Sequence, residues 1–468
     1  MLKQMKFLLA PVAAAVLTAC AVGPNYHAPE TKAADKFDGI EATYSTQEAV
    51  AKFWQNFDDQ TLDRLVDQAL TSNYDVRIAL ARVAESRALR RDVNFDFAPS
   101  IQASGGYTKT RVSLEQTLAG APRSTEFYDA GFDAFWELDF FGRIRRGAEA
   151  ANAELGATVA AEHDAQVVVT AEVTRTYFEL RGFQQQLDVA RRNVNNQQST
   201  LDLAKARLDG GTGTEFDTAR AESQLSSTLG TIAPLEAAVA RSIHRLSVLV
   251  GREPGALRTE LAATQALPPL PGIVPVGDPA GMLRRRPDIR IAERDLAGAT
   301  ANVGIAVADL FPRVTFTGSA GYVAASSGRL GDSGTDAYML APGISWAIFD
   351  LGHVQARIAA SRARQQGALL NYEKTVLNAL EETEDSLVTH ARARDRLVHD
   401  EAAVRASNTA ADLARVRYEN GASDFLQVLD AERTLLESED RLARSRTEAA
   451  TSLIAVYKAL GGGWQAGS

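Results

Sequence analysis

Cys20 is the only cysteine in a chain of 468 residues, and it closes the stretch Leu17-Thr18-Ala19-Cys20. Ahead of it stand Lys3 and Lys6 and the apolar run from Phe7 to Val16, the layout of a secretory leader with a small-residue cleavage site. Cleavage after residues 1–19 makes Cys20 the first residue, with its thiol and its new amine both open to acylation. The chemistry expected here is covalent lipid attachment at Cys20. A lone cysteine has no intrachain partner, so packing rather than a disulfide must hold the chain together in an oxidising compartment. Ala21 follows, where enteric bacteria tend to use Asp to retain a lipoprotein in the inner membrane; by that analogy the expected destination is the outer membrane.

The other residue types that could do chemistry are not arranged to do it. His27, His163, His244, His353, His390 and His399 have no ligand-like spacing, and no metal site is expected. The carboxylates Glu381-Glu382 and Glu384-Asp385, and the run His399-Asp400-Glu401, read as the solvated face of a charged helix rather than as an acid/base pair. Gly210 to Gly213 lacks the G-x-x-x-x-G-K-[ST] pattern and follows a helix, so it reads as a turn and not a phosphate cradle. No enzyme chemistry and no cofactor beyond the lipid on Cys20 is expected. The formal charge is −9, and removing residues 1–19 takes away Lys3 and Lys6 and no acid, leaving −11. A chain this acidic is a poor partner for nucleic acid.

The elements that would position anything occur twice. Asn73-Tyr74-Asp75-Val76-Arg77-Ile78-Ala79 returns as Arg286-Pro287-Asp288-Ile289-Arg290-Ile291-Ala292, Trp136 with Gly142 as Trp346 with Gly352, and Ala204 to Gly211 as Ala414 to Gly421. This spacing is far beyond solenoid periods of roughly 20 to 50 residues and marks a duplicated half-protein. The expected division is a leader at 1–19, a first repeat at 20–250, a Pro/Gly-rich extended connector at 251–278, a second repeat at 279–461 and a tail at 462–468. Each repeat carries a β-hairpin, at about 100–139 and about 313–350. Their faces alternate: Ile101, Ala103, Gly105 and Tyr107; Tyr128 through Leu138; Val314 through Tyr322; and Tyr338, Leu340, Pro342, Ile344, Trp346 and Ile348.

Each repeat also carries a long helical hairpin, at about 143–250 and 352–461. Leu180, Leu187, Val194, Leu201 and Leu208 recur every seventh residue, as do Val428, Leu435, Leu442, Ala449 and Val456, the period of supercoiled helices. No stretch after the leader approaches the roughly 18 apolar residues of a membrane helix, so a membrane could be crossed only by strands. Four strands cannot close a barrel in hydrocarbon, whereas three copies would supply twelve. A soluble sheet packed on helices would also explain the alternation.

The chain resembles the outer-membrane factors of tripartite efflux systems, the TolC-like and OprM-like channels, and in particular their lipoprotein branch. The resemblance rests on Trp54 through Asp58, Trp136-Glu137-Leu138-Asp139-Phe140-Phe141-Gly142-Arg143, Arg285-Arg286-Pro287-Asp288-Ile289, Asp309-Leu310-Phe311-Pro312 and Tyr457 through Trp464. It implies a mainly helical fold with a small β part. It further implies a homotrimer whose twelve-stranded barrel spans the outer membrane, contacts its lipid and continues into a periplasmic helical barrel. A periplasmic membrane-fusion adaptor and an inner-membrane RND-type transporter are the implied partners.

The helical tips, Gly210, Gly211 and Gly213 in one hairpin and Asn420 and Gly421 in the other, are then the adaptor contacts. Leu426 and Asp430 lie one helical turn apart and share a face; threefold symmetry would make them an apolar and an acidic ring of a periplasmic gate. A coiled-coil knob and a solvated charge are the plainer readings of these two residues. Arg417 and Tyr418 fall where the family uses polar links to hold the gate shut. Ser423 and Gln427 depart from the TolC pattern, so its full latch does not carry over. Export of proteins by a type I system and a purely structural coiled-coil lipoprotein are the competing functions.

Overall fold

The computed structural model describes residues 21–30, 33–38, 43–48, 50–116, 120 and 122–464; the leader 1–19 and Cys20 lie outside the described residues. Helices α1 (Gln60–Ser72) and α2 (Tyr74–Phe95) lead to strands β2 (Ser100–Arg111) and β3 (Ser124–Leu138), then to α3 (Arg143–Asp209) and α4 (Glu215–Leu249). After the short α5 (Arg258–Leu261) the order repeats, with α6 (Pro279–Arg285), α7 (Pro287–Ala308), β5 (Arg313–Ala324), β6 (Asp336–Ser345), α8 (Leu351–Glu419) and α9 (Phe425–Ala459). The 67 residues of α3 and 69 of α8 run about 100 Å each at the usual helical rise. The fold is mainly helical with a minor sheet part.

The four long strands form one antiparallel sheet in the order β2-β3-β5-β6. One face carries Ile101, Phe132, Leu340, Tyr338 and Ile344, the last two 79% and 76% exposed. The other carries Gln102, Ser104 and Asp133, with the Ser104 hydroxyl donating to Asp133 at 2.6 Å. An apolar face left this open is not covering a helical core, which disfavours the soluble-sheet reading.

Two expectations need correction. β6 ends at Ser345, so Trp346 and Ile348 lie beyond the strand; the turn into α8 begins there, with the Asp350 N–H donating to the Ala347 carbonyl at 2.9 Å. The indole N–H of Trp346 donates to the Leu310 carbonyl at 2.9 Å, as that of Trp136 does to Phe97 at 3.1 Å. The connector at 251–278 is not wholly extended either. It holds α5 and a short strand, β4 (Val274–Pro275), which pairs in parallel with β1 (Tyr44–Ser45) and so satisfies backbone groups that an isolated connector would leave to water.

The chain forms two compact units, each drawn from both sequence halves, so the repeats are not the compact units. Among the described residues, the first unit comprises those within 21–30, 82–159 and 291–373 and contains the sheet. In it Arg146, only 2% exposed, gathers the N-terminal segment: its guanidinium donates to the carbonyls of Val22 at 3.1 Å, Gly23 at 3.3 Å and Ala21 at 3.4 Å, and to Asn25 Oδ1 at 2.8 Å. The Val22 N–H closes the strap on the Phe141 carbonyl at 3.1 Å.

Among the described residues, the second unit comprises those within 33–81, 160–290 and 374–464. Here the seven-residue positions Leu180, Leu187, Leu201, Val428, Ala449 and Val456 are buried, beside the small residues Ala204, Ser438 and Ser445 that let helices approach. Arg285 and Arg286 cap the C-terminal end of α9, donating to the carbonyls of Leu460 at 2.9 Å and Ala459 at 2.7 Å. Their charge suits the negative end of the helix dipole. Asp288 at 2.8 Å and Glu382 at 2.7 Å neutralise Arg286 in turn, giving the Arg-Arg-Pro-Asp run a packing role. Arg181, fully buried, binds the connector through the Ala263 carbonyl at 3.0 Å and Gln265 at 2.7 Å. Tyr177 bridges it to Asp59, and burial first, then the hydrogen bond to Asp59, raises the Tyr177 phenol to about 12.

His390 of α8 is buried against Ser452, 3.2 Å from its hydroxyl, and beside the Tyr44 ring. Burial, helped by the Arg394 cation, pushes the imidazole from its ordinary 6.5 to about 4. The folded value lies below the unfolded one, so this stability is complete above about pH 6.5 and is lost as pH falls toward 4. At pH 5 the loss is about 2 kcal/mol. In detergent, His390→Gln should lose about 2 kcal/mol less than the wild type between pH 7 and pH 5; equal losses followed by helix circular dichroism would contradict this.

Candidate functional site

The two helical hairpin tips, both in the second unit, are built alike. At the end of α3 the Gly211 N–H donates to the Leu208 carbonyl at 3.0 Å and the Thr212 N–H to Arg207 at 2.9 Å; at the end of α8 Gly421 donates to Tyr418 at 3.0 Å and Ala422 to Arg417 at 2.8 Å. These paired bonds satisfy the last carbonyls of each helix and require a residue in the left-handed region. Gly211 and Gly421 supply it, with φ of 72° and 70°. Gly213 is needed for space, since a Cβ there would stand 2.8 Å from the Leu208 nitrogen. The exposed Asn420 donates its amide to the Val416 carbonyl at 2.7 Å.

Just behind the tips, Leu201, Ala204, Ala221, Leu225, Tyr418, Phe425, Val428 and Leu429 form one buried cluster. Tyr418, 5% exposed, lies 5.2 Å from Phe425 between ring centroids. The Arg207 guanidinium sits 3.9 Å over the Tyr418 ring and donates to its carbonyl at 2.9 Å. The link at this position therefore runs through Arg207 within the chain, while the Arg417 side chain is exposed. A second link joins three helices: buried Glu432 of α9 accepts from Thr200 of α3 at 2.9 Å and from Arg415 of α8 at 2.9 Å.

Leu426, 48% exposed, and Asp430 point away from this cluster. The Asp430 carboxylate accepts from Arg433 at 2.9 Å, so its charge is locally balanced. The corresponding face of the first hairpin carries exposed Phe216, with the Arg220 guanidinium 5.4 Å from its ring. The structure thus brings Tyr418 into the core, sets Leu426 and Asp430 together on the outer face, and leaves Gly210, Gly211, Gly213, Asn420 and Gly421 at the turns. Arg207, Arg415, Glu432 and Arg433 were missed from sequence. Only Arg433, one turn after Asp430, left a local signal. Among the described residues no group of His, Cys, Asp and Glu could hold a metal ion.

The family model described as "Outer membrane efflux protein" matches residues 65–252 and 280–462. The chain belongs to the outer membrane efflux protein family. It is 31% identical over 468 residues to the solvent efflux pump outer membrane protein SrpC of Pseudomonas putida, covering 98% of this chain and 99% of the relative. Outer membrane protein OprJ of Pseudomonas aeruginosa is 30% identical over 474 residues, with 97% and 95% covered. Among solved structures, the outer-membrane channel OprN superposes with a TM-score of 0.89 at 40% identity, covering 95% of this chain and all of that one.

In this member of the family the return helices start differently. Thr214 and Asp217 form a reciprocal capping box on α4. Asp424 makes no side-chain cap on α9, and the Ser423 hydroxyl beside it is buried with no hydrogen-bond partner among the described residues. An N-cap contributes about 1 kcal/mol. Thr214→Ala is therefore expected to speed amide exchange over residues 215–218 by about fivefold, and Asp424→Ala to change residues 425–428 by less than about twofold. Equal effects by hydrogen-exchange mass spectrometry would contradict the asymmetry.

Proposed function

We propose that this efflux-family chain is the outer-membrane channel component of a tripartite pump. It acts as a homotrimer with a periplasmic membrane-fusion adaptor and an inner-membrane RND-type transporter, and exports small amphiphilic molecules. The observation that carries the reading is the sheet, with an uncovered apolar face and two open edges in a chain of the efflux family. Trp136 and Tyr128 lie eight residues apart on β3. At about 3.4 Å per residue and a tilt of about 40° this sets two aromatic levels roughly 20 Å apart, close to the apolar band of outer-membrane barrels. In this reading three copies pool twelve strands, and the long helices line a periplasmic tunnel.

A lipid on Cys20 adds an anchor. The support is the leader sequence and the strap beyond it: Ala21 is so close to Gly142 that a Cβ on the glycine would lie 2.7 Å from the Ala21 Cα. Ala21, the first described residue, stands beside Gly142 just after β3, and an anchor on the preceding residue would enter from there. Leu426 and Asp430 are the gate in this reading. Apolar constrictions close by dewetting and acidic rings favour cations. Arg433 tempers the acidic ring, and Arg207 with Tyr418 holds the α8 end against α3. The turn glycines and Asn420 form the adaptor-facing surface.

The efflux role predicts that a strain lacking this gene becomes hypersensitive to several amphiphilic drugs and dyes and is rescued by the wild-type chain. Unchanged susceptibility, with the protein expressed and other outer-membrane factors deleted, would shift the reading to protein export. For the gate, Asp430→Ala should lower cation preference in planar bilayers and Arg433→Ala should raise it. Selectivity unmoved by both changes would remove Asp430 from the conduction path.

A further inference from the structure

The apolar face of the sheet changes character along its length. Successive residues of β2 alternate between faces, so Tyr107, Lys109 and Arg111 share the face of Ile101, and across the hairpin they stand opposite Tyr128, Glu126 and Ser124. Between the levels of Trp136 and Tyr128 the positions of β2 and β3 on this face carry no charge. Its first charges, Lys109 and Glu126, come one step beyond the paired rings of Tyr107 and Tyr128, whose centroids are 4.8 Å apart, and Arg111 comes one step further. At the helical end the face ends on Trp136 and Leu138. Arg313, which opens β5 at that end, alternates onto the other face and binds Asp309 at 2.5 Å. The cations of this face therefore stand at the loop end alone.

Their height matches a headgroup layer. Lys109 and Arg111 lie two and four residues beyond Tyr107, about 5 and 10 Å along the membrane normal at about 3.4 Å per residue and a tilt of about 40°. A bilayer of about 40–45 Å with a hydrocarbon core of about 30 Å leaves each headgroup layer roughly 5–8 Å deep. Tyrosines mark the inner limit of that layer, and the flexible stem of Arg111 can reach back into it. Lys109 donates to Glu126 at 2.5 Å, which uses one of its three ammonium protons. Arg111 is exposed, and among the described residues it makes no ion pair or side-chain hydrogen bond. The trio keeps one net positive charge. Asp336, the other acid of these strands on this face, opens β6 at the opposite end of the sheet order.

An anion bridging Lys109 and Arg111 would take charge-assisted hydrogen bonds from both, since alternate residues of a strand are about 7 Å apart and both side chains are long. The apolar surface below it selects among anions. Tyr107 is 53% exposed and Phe132 63%, a continuous contact for hydrocarbon that a soluble anion would leave unused. We propose that Lys109 and Arg111 bind the phosphate of an outer-leaflet lipid whose acyl chains lie against the face below Tyr107. The proposal rests on the membrane-channel reading, in which the helices joined at the Ser100 and Leu138 end are periplasmic, and adds a headgroup site to it. The second hairpin has no counterpart, because Tyr322 is followed on this face by Ala324 and the loop cation Arg329 lies 3.9 Å from Asp332. Each chain carries one such site.

The test is native mass spectrometry of the full-length protein in mild detergent, with bisphosphorylated lipid A or phosphatidylcholine added at equal concentration. Wild-type trimers should carry lipid A in at least about tenfold excess over phosphatidylcholine, and Lys109→Gln with Arg111→Gln should cut that excess about tenfold. Lys109→Arg with Arg111→Lys, which keeps both charges, should bind as the wild type does, and so should Arg329→Gln in the other hairpin. An excess that survives the double Gln change, that falls equally in Arg329→Gln, or that inorganic phosphate abolishes at the lipid's concentration would overturn the site. Loss of trimers in the double Gln variant would overturn it too, since the two cations would then be holding copies together. Wild-type particles of one chain that give no conductance in planar bilayers would instead overturn the channel reading.

Discussion

Backbone groups at a sheet edge need partners, and in hydrocarbon no water supplies them. This constraint governs the molecule. The chain makes one four-stranded sheet with two bare edges and an apolar face turned outward. Such a sheet is a liability in water, where an open apolar edge invites aggregation. In the proposed channel the edges would join those of identical copies, and assembly, membrane insertion and pore formation would then all follow from the same unmet hydrogen bonds.

Duplication makes the assembly economical without making its parts equal. The two halves repeat their hairpins, their tryptophan hydrogen bonds and their glycine-ended helices. They differ where regulation would act. One return helix starts on a reciprocal cap and the other does not. One outer face carries Phe216 and Arg220, the other Leu426 and Asp430 with Arg433. In the proposed channel, symmetric positions with unlike chemistry would let one hairpin serve as a fixed wall while its copy responds to a partner.

Much of this was legible in the sequence because its signals are periodic or local. The heptads, the alternating strands, the turn glycines and the double occurrence of each motif all depend on near neighbours along the chain. What escaped depends on distant ones. Arg146 is unremarkable in sequence, yet it holds the N-terminal strap from more than a hundred residues away. Arg207 and Glu432 are ordinary helix charges until three helices meet. Tyr418, read as a gate link, is also a core residue, because the turn at Gly421 folds its ring onto Phe425. The end of β6 was missed because Trp346 and Ile348 keep the strand's alternation after the turn into α8 has begun.

Closure of the proposed barrel by three chains is tested most directly by native mass spectrometry of the full-length protein extracted in mild detergent. Particles of three chains are the expected result. Stable particles of one or two chains that still conduct ions would contradict it, since four or eight strands would then have to close the pore that twelve are held to form.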